Sequence, residues 1–241
     1  MHRRLGVLLL VGLAIMALPM AAAALGLDLE AKGGVGFALG STDNKDVTGV
    51  ARVAGQGGIA ADLYLVTLGP VDIGLSTGAE YAYLTTHSTW KGYSLFPSPI
   101  PPGTASDQTT DTRYSYLIIP VSIVARYPLS SSVTLIGRLG AFYGYFLSGQ
   151  IDVSWDPEIP LFQIVDSKNN KATSDDVKSA EYGIHATAGA DIGIMPNVSL
   201  SPSVQLDMGL TDTTPNNATN GSFNDTLWSL TLMVGIKYKA L

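Results

Sequence analysis

The stretch Leu27-Asp-Leu-Glu-Ala-Lys-Gly-Gly-Val-Gly-Phe-Ala-Leu39 decides the fold when it is read in steps of two. One set is Leu27, Leu29, Ala31, Gly33, Val35, Phe37 and Leu39. The other is Asp28, Glu30, Lys32, Gly34, Gly36 and Ala38. Successive side chains of an extended chain point to opposite faces. The segment is therefore a strand with one apolar face and one face of charges and minimal side chains.

The same alternation recurs at about 56–68, 71–84, 114–127, 133–148, 180–194, 198–210 and 226–239, which makes eight strands. In 198–210, for example, Val198, Leu200, Val204, Leu206 and Met208 oppose Ser199, Ser201, Ser203, Gln205 and Asp207. The segment 114–127 is less regular, because Ile118 and Val124 fall on its polar side. Gly69-Pro70, Pro128 to Ser132 and Pro196-Asn197 supply short turns. The remaining connections, at 41–52, 85–112, 149–179 and 211–225, are long. Residues 150–165 leave a count of ten open, since Gln150-Ile-Asp-Val-Ser-Trp-Asp156 would either lengthen the fifth strand or form a hairpin of its own.

Two closed barrels carry such alternation. A lipocalin-like barrel turns its apolar face inward, and a membrane barrel turns it outward. Three features select the membrane barrel. Short and long connections alternate strictly, as short periplasmic turns and long external loops do. Aromatic residues of the apolar face gather toward strand ends, where Tyr81, Tyr83, Tyr127, Tyr143, Tyr145, Tyr182, Trp228 and Tyr238 would form girdles at the two water boundaries. The polar face combines glycine with charges of both signs, which suits a narrow lumen. The expected fold is all-β: an eight-stranded antiparallel up-and-down transmembrane β-barrel.

The N-terminus agrees with export. Arg3 and Arg4 precede an apolar run from Leu5 to Leu18, Pro19 ends it, and Met20 to Ala24 bring small residues. This is the order of a cleaved secretory signal, with cleavage expected after Ala23 or Ala24. The division is thus 1–24 signal peptide and 25–241 outer-membrane barrel. The chain has no Cys, and only 14% of its residues are charged, with 14 Lys plus Arg against 20 Asp plus Glu. An acidic chain of this kind carries no electrostatic footprint for nucleic acid. Its mean hydropathy of +0.24 is apolar for a protein bathed in water on all sides.

On the inward face, alternation collects Glu30, Lys32, Asp62, Asp72, Glu80, Arg126, Arg138, Asp191, Asp207 and Lys237 as a polar network, with Glu181 and His185 on the same side. An eight-stranded barrel is just wide enough for side chains to fill it. An ion-paired plug is therefore expected, with Arg126 and Arg138 as central partners of the acids. Neither metal-ligand spacing nor a cofactor motif is present, and His87 and His185 are the only histidines beyond the signal. Little general-base material is available, so an enzyme is not expected.

The segments Tyr116-Leu-Ile-Ile-Pro-Val-Ser-Ile-Val-Ala-Arg-Tyr127, Arg138-Leu-Gly-Ala-Phe-Tyr-Gly-Tyr-Phe-Leu147 and Glu181-Tyr-Gly-Ile, with the final strand ending Ile236-Lys-Tyr238, resemble the small outer-membrane β-barrel family that includes OmpA/OmpX-like and porin-family barrels. The resemblance spans 27–241. It implies a monomer in outer-membrane lipid, assembled by the barrel-assembly machinery. The family usually ends in an aromatic residue; this chain ends in Leu241 and keeps Tyr238 nearby. Three functional classes follow as expectations: a structural or surface-interaction barrel with a plugged lumen, a low-conductance passive pore, and, remotely, a lipid-modifying enzyme. An extracellular ligand would be taken through loops 85–112 and 149–179, the first of which carries Trp90, Tyr93, Phe96 and the proline-rich 97–103.

Overall fold

The computed structural model describes residues 26–42, 45–93, 106–156, 170–172, 179–211 and 225–241. The expected signal peptide and the proline-rich tip of loop 85–112 lie outside the described residues. Among the described residues nine strands are present: β1 (Gly26–Thr42), β2 (Val47–Leu68), β3 (Val71–Tyr93), β4 (Ser106–Pro128), β5 (Val133–Asp156), β6 (Asn170–Ala172), β7 (Ala180–Met195), β8 (Val198–Gly209) and β9 (Asp225–Lys239). All pairings are antiparallel. Eight strands join in the order β1-β2-β3-β4-β5-β7-β8-β9 and back to β1, and β6 is a short strip on β5.

The closure can be followed residue by residue. Starting at Asp28, directly paired residues run through Asp62, Ser76, Ser122, Gly140, His185, Asp207 and Ser229, and return to β1 at Ala38, ten residues further along. With strands about 4.8 Å apart and about 3.3 Å per residue, that stagger sets a tilt of about 40° and a backbone radius of about 8 Å. The bore is then only wide enough for side chains from opposite walls to meet.

Burial is inverted relative to a protein in water. Val35, Phe37, Ile59, Leu139 and Leu232 are each more than 60% exposed, while Glu80, Asp62 and Lys237 are at most 1% exposed. The apolar surface continues around the ring through Val121, Ile123, Val204 and Val234. No aqueous protein presents a continuous band of this kind, and a lipid hydrocarbon layer is the solvent that satisfies it. The fold is a transmembrane β-barrel. Closure also pairs the strand edges, as the absence of water in hydrocarbon demands.

Strand counts agree with the alternation, but strand lengths do not. Residues 47–52, 85–93, 106–112 and 149–156, expected in loops, are strand. Gln150 to Asp156 lengthen β5 rather than make a hairpin, so the ring has eight strands and not ten. Loops 85–112 and 149–179 are accordingly shorter than expected. The extensions of β2 to β5 form a tall wall on one side of the mouth. Its outer face carries a row of polar pairs: His87 Nδ1 lies 2.7 Å from Asp111 Oδ1, and Arg113 Nη2 lies 3.5 Å from Asp152 Oδ2. A register shift between Ala51 and Ala54 lets Arg52 approach the same Asp111 at 4.0 Å. The apolar band has ended by this row.

The chain has no native cysteine, so single-cysteine spin labels report position cleanly. A label at Leu232 is expected to be accessible to molecular oxygen and shielded from a water-soluble nickel reagent, and a label at Ser131 in the β4–β5 turn the reverse. Nickel access at Leu232 comparable to that at Ser131 would reject the lipid-facing assignment.

Candidate functional site

The lumen is built in two storeys. Toward the turn end, charged side chains from all around the ring converge. Arg138 of β5 reaches across to β2 and β1: its Nε is 3.0 Å from Asp62 Oδ1, and its Nη2 is 2.7 Å from Asp62 Oδ2 and 2.5 Å from Glu30 Oε2. Lys237 of β9 joins the same cluster, with Nζ 2.9 Å from Asp191 Oδ2 and 3.3 Å from Asp62 Oδ2. Ser201 donates to the other Asp191 oxygen at 2.6 Å. Charge-assisted bonds between groups held on a rigid ring are the strong kind.

A second cluster sits beside it. Lys32 Nζ lies 2.7 Å from Glu80 Oε1 and donates to Gln205 Oε1 at 2.8 Å. Gln56 and Gln205 both donate to Glu80 Oε2 at 2.8 Å, and to Asp207 Oδ2 at 3.1 and 2.9 Å. The two amides thus join two carboxylates that would otherwise repel. His185 Nδ1 lies 2.6 Å from Asp207 Oδ1, and the Thr187 hydroxyl lies 3.2 Å from His185 Nε2. The row Asp207, His185, Thr187 has the residue types of a nucleophile relay. All three are at least 96% buried in the lumen.

Of the residues expected in the network, Glu30, Lys32, Asp62, Glu80, Arg138, Asp191, Asp207 and Lys237 are buried there, as is His185, while Glu181 is buried in the lumen outside it. Asp72 and Arg126 join it only at its edge, through Asp28. They are half-buried at the turn end, where Arg126 Nε donates to Asp72 Oδ2 at 2.9 Å, its Nη1 lies 3.3 Å from Asp28 Oδ2, and its guanidinium stacks 3.8 Å from the Tyr64 ring centroid. Arg138 is central, and Arg126 sits at the turn end. Asp28, Gln56 and Gln205 belong to the network although they were not expected in it. The signal for them was their polar-face parity alone.

The other storey corrects the expectation of a wholly ionic plug. Beyond the ions, toward the loop end, the lumen is apolar: Ala38, Ala54, Ala82, Leu84, Tyr116, Ile118, Phe142, Phe146 and Leu227 form one buried cluster. Large side chains come from β4 and β5 and lie against small residues of β1, β2 and β3. Tyr116 and Phe146 meet edge to face at 5.7 Å, with Tyr114 against both at 6.1 and 6.3 Å. Phe142 and Tyr116 sit on the inward register of strands that otherwise alternate polar and apolar, and this gave them no sequence signal beyond irregularity.

Outside, Tyr81, Tyr83, Tyr127, Tyr145, Tyr182, Trp228 and Tyr238 are exposed, and Tyr143 is half-buried with its ring 5.2 Å from that of Tyr182. Tyr127 and Tyr238 lie near the turn end. Tyr81, Tyr143, Tyr145 and Tyr182 fall in neighbouring register rows toward the other. At the turn end a cavity of about 370 Å³ opens between the β4–β5 and β7–β8 turns, lined by Ser132, Thr134, Asp191, Ser199 and Lys239 among others. Among the described residues no cluster of His, Cys, Asp or Glu has the geometry to hold a metal ion.

No family model matches the chain, and no curated protein matches it in sequence. Solved structures that resemble it are outer-membrane barrels. One is a major outer membrane protein from Thermus thermophilus, at 18% identity and a TM-score of 0.41, covering 88% of this chain and 99% of that one. Another is the outer membrane protease OmpT from Escherichia coli, at 10% identity and 0.40, covering 88% and 96%. A third is Ail, the attachment invasion locus protein of Yersinia pestis, in complex with the heparin analogue sucrose octasulfate, at 11% identity and 0.36, covering 89% and 100%. At these values the likeness carries nothing about the site, and the fold rests on the closed ring of pairings.

Removing one partner of a buried ion cluster strands the others. Arg138→Ala leaves Glu30 and Asp62 without their guanidinium and is expected to lower stability by about 3–5 kcal/mol. Equilibrium urea unfolding in lipid vesicles measures it. Arg113→Ala, which breaks an exposed pair, is expected to change stability by less than about 1 kcal/mol.

Proposed function

We propose that the chain is an integral outer-membrane β-barrel with a structural or surface-interaction role and no enzymatic activity. The short turns and both barrel termini face the periplasm, and the tall wall of β2 to β5 faces outward with the loops that cap it. The observation that supports this reading is the content of the lumen: ion pairs occupy one storey and packed aromatic rings the other. What remains to act is the surface: lipid against the apolar band, and an external ligand against the wall and loops within 85–112 and 149–179. The chain acts as a monomer, inserted by the barrel-assembly machinery, with no nucleic acid and no cofactor.

A passive pore is the second reading. The polar cavity at the turn end and the acid-rich storey behind it favour it, because together they form half of a conducting path. A lipid-modifying enzyme has less support. His87 is spent on Asp111 in a row of cross-strand polar pairs, and His185 lies sealed in the lumen.

Single-channel recording on the refolded mature chain in a planar bilayer separates the two. The closed-barrel reading expects no discrete openings from protein that runs as a folded, heat-modifiable species. Reproducible unitary currents would replace it with the pore.

A further inference from the structure

We propose that the seal of the lumen is the apolar storey alone, that it closes a latent cation-selective path, and that Glu181 is the residue that sets its selectivity. The inference rests on the closed-barrel reading and adds where the closure lies and what it would pass.

The two storeys differ in what they would do if loosened. The ionic storey is mainly charged and polar, with Tyr64, Val124 and Ile136 as a small buried apolar patch near the turns, and it connects to the cavity at the turn end through Asp191, which lines that cavity and holds Lys237. Water and small ions have polar partners along this half. The apolar storey offers none of that. Phe142 and Phe146 project from β5 and Tyr116 from β4, and they cluster with Ala38, Ala54 and Ala82 of β1 to β3. Constrictions of this kind block ions by excluding water and need no charge. The fit is close: a Cβ on Gly183 would collide with the Phe142 ring, so the ring lies on bare backbone.

One group contradicts the apolar character of this storey. Glu181, at the start of β7, is 4% exposed, and its Oε1 has no hydrogen-bond partner. It lies against Gly209, where an added Cβ would overlap that oxygen and crowd the Leu227 carbonyl oxygen at 2.6 Å. The Tyr116 hydroxyl, in the same storey, is also buried without a partner. The groups around Glu181 are Gly144 and Phe142 on β5, Gly209 on β8 and Leu227 on β9, and the charged group that acts on it is another acid, Asp207. The cations Lys32, Arg138 and Lys237 are committed to other acids in the ionic storey.

A buried carboxyl with no cation beside it is costly in a packed core. It becomes useful where an ion passes, because a carboxylate at a constriction admits cations and repels anions. The rest of the lumen supports the same sign: its buried carboxyls outnumber its buried Lys and Arg seven to three among the described residues.

The test compares refolded chains in planar bilayers under a KCl gradient, each first shown to be folded by heat-modifiable migration. Phe142→Ala/Phe146→Ala is expected to give discrete openings with a reversal potential on the cation-selective side. Adding Glu181→Gln is expected to lower the cation-to-anion permeability ratio by roughly threefold or more, and Glu181→Lys to move it toward anions. Lys32→Met, which loosens only the ionic storey, is expected to stay silent. If the double variant does not fold, Phe146→Ala alone carries the same expectation with briefer openings. A folded but silent plug variant, a conducting Lys32→Met, or a ratio untouched by Glu181→Gln would each overturn the proposal. Unitary currents from the unaltered chain would instead overturn the closed-barrel reading beneath it.

Discussion

The rest of the molecule depends on closure of eight strands with a ten-residue stagger. In hydrocarbon an unpaired backbone amide costs several kcal/mol, so a sheet that crosses must join its own edges. Once eight tilted strands are joined, the bore is fixed, and it is too narrow to be either open water or an ordinary core. Every second residue must point into that space and fill it. The inward face therefore cannot be merely polar. It has to be a set of side chains whose volumes and hydrogen bonds are solved together across the barrel.

This explains why large and small groups alternate around the ring. Arg138 spans from β5 to β1 and β2 because glycines and alanines, including Gly58, Ala60 and Gly140, share the inward face. In the other storey the rings of Tyr116, Phe142 and Phe146 play the part that Arg138, Lys32 and Lys237 play below. One geometry admits two chemical solutions, and this chain uses both, stacked along the axis. The ionic solution is expensive to break and no more stabilising than a well-packed apolar one. Its presence in half the lumen ties particular strands together, since Arg138 of β5 reaches β1 and β2 and Lys237 of β9 reaches β2 and β7.

How much of this was legible follows from the same physics. The period of two is written in every strand, so the number of strands, the short turns and the lipid-facing residues could be read from segments such as Leu27 to Leu39. Lumenal parity was equally legible, which is why Asp62, Glu80, Arg138 and Lys237 were expected inside. Partnership was not legible. Arg138 and Glu30 are 108 residues apart and Lys237 and Asp62 are 175, and nothing local encodes which acid meets which base. The upper ends of β2 to β5 were hidden for a different reason. Above the lipid both faces of a strand are polar, so Thr85 to Thr89 and Thr109 to Thr112 lose the alternation that betrays a strand and look like loop.

The apolar storey was the hardest to foresee, because it reverses the rule that made the rest readable. Phe142, Phe146, Ile118 and Tyr116 are large apolar groups on the inward register, and in a membrane barrel such residues look like breaks in the pattern. They are tolerated because the small bore lets an aromatic ring from one wall reach alanine or glycine on another, so burial replaces lipid as the apolar surroundings. Glu181 inverts the exception again: it is a carboxyl of correct inward parity, left among rings with one oxygen unpartnered. Departures from a local rule that are not explained by stability are where function is expected to concentrate. In this barrel most of the ionic storey obeys the inward-polar rule, with Tyr64, Val124 and Ile136 as exceptions near the turns, and the larger group of inward apolar side chains gathers in the other storey.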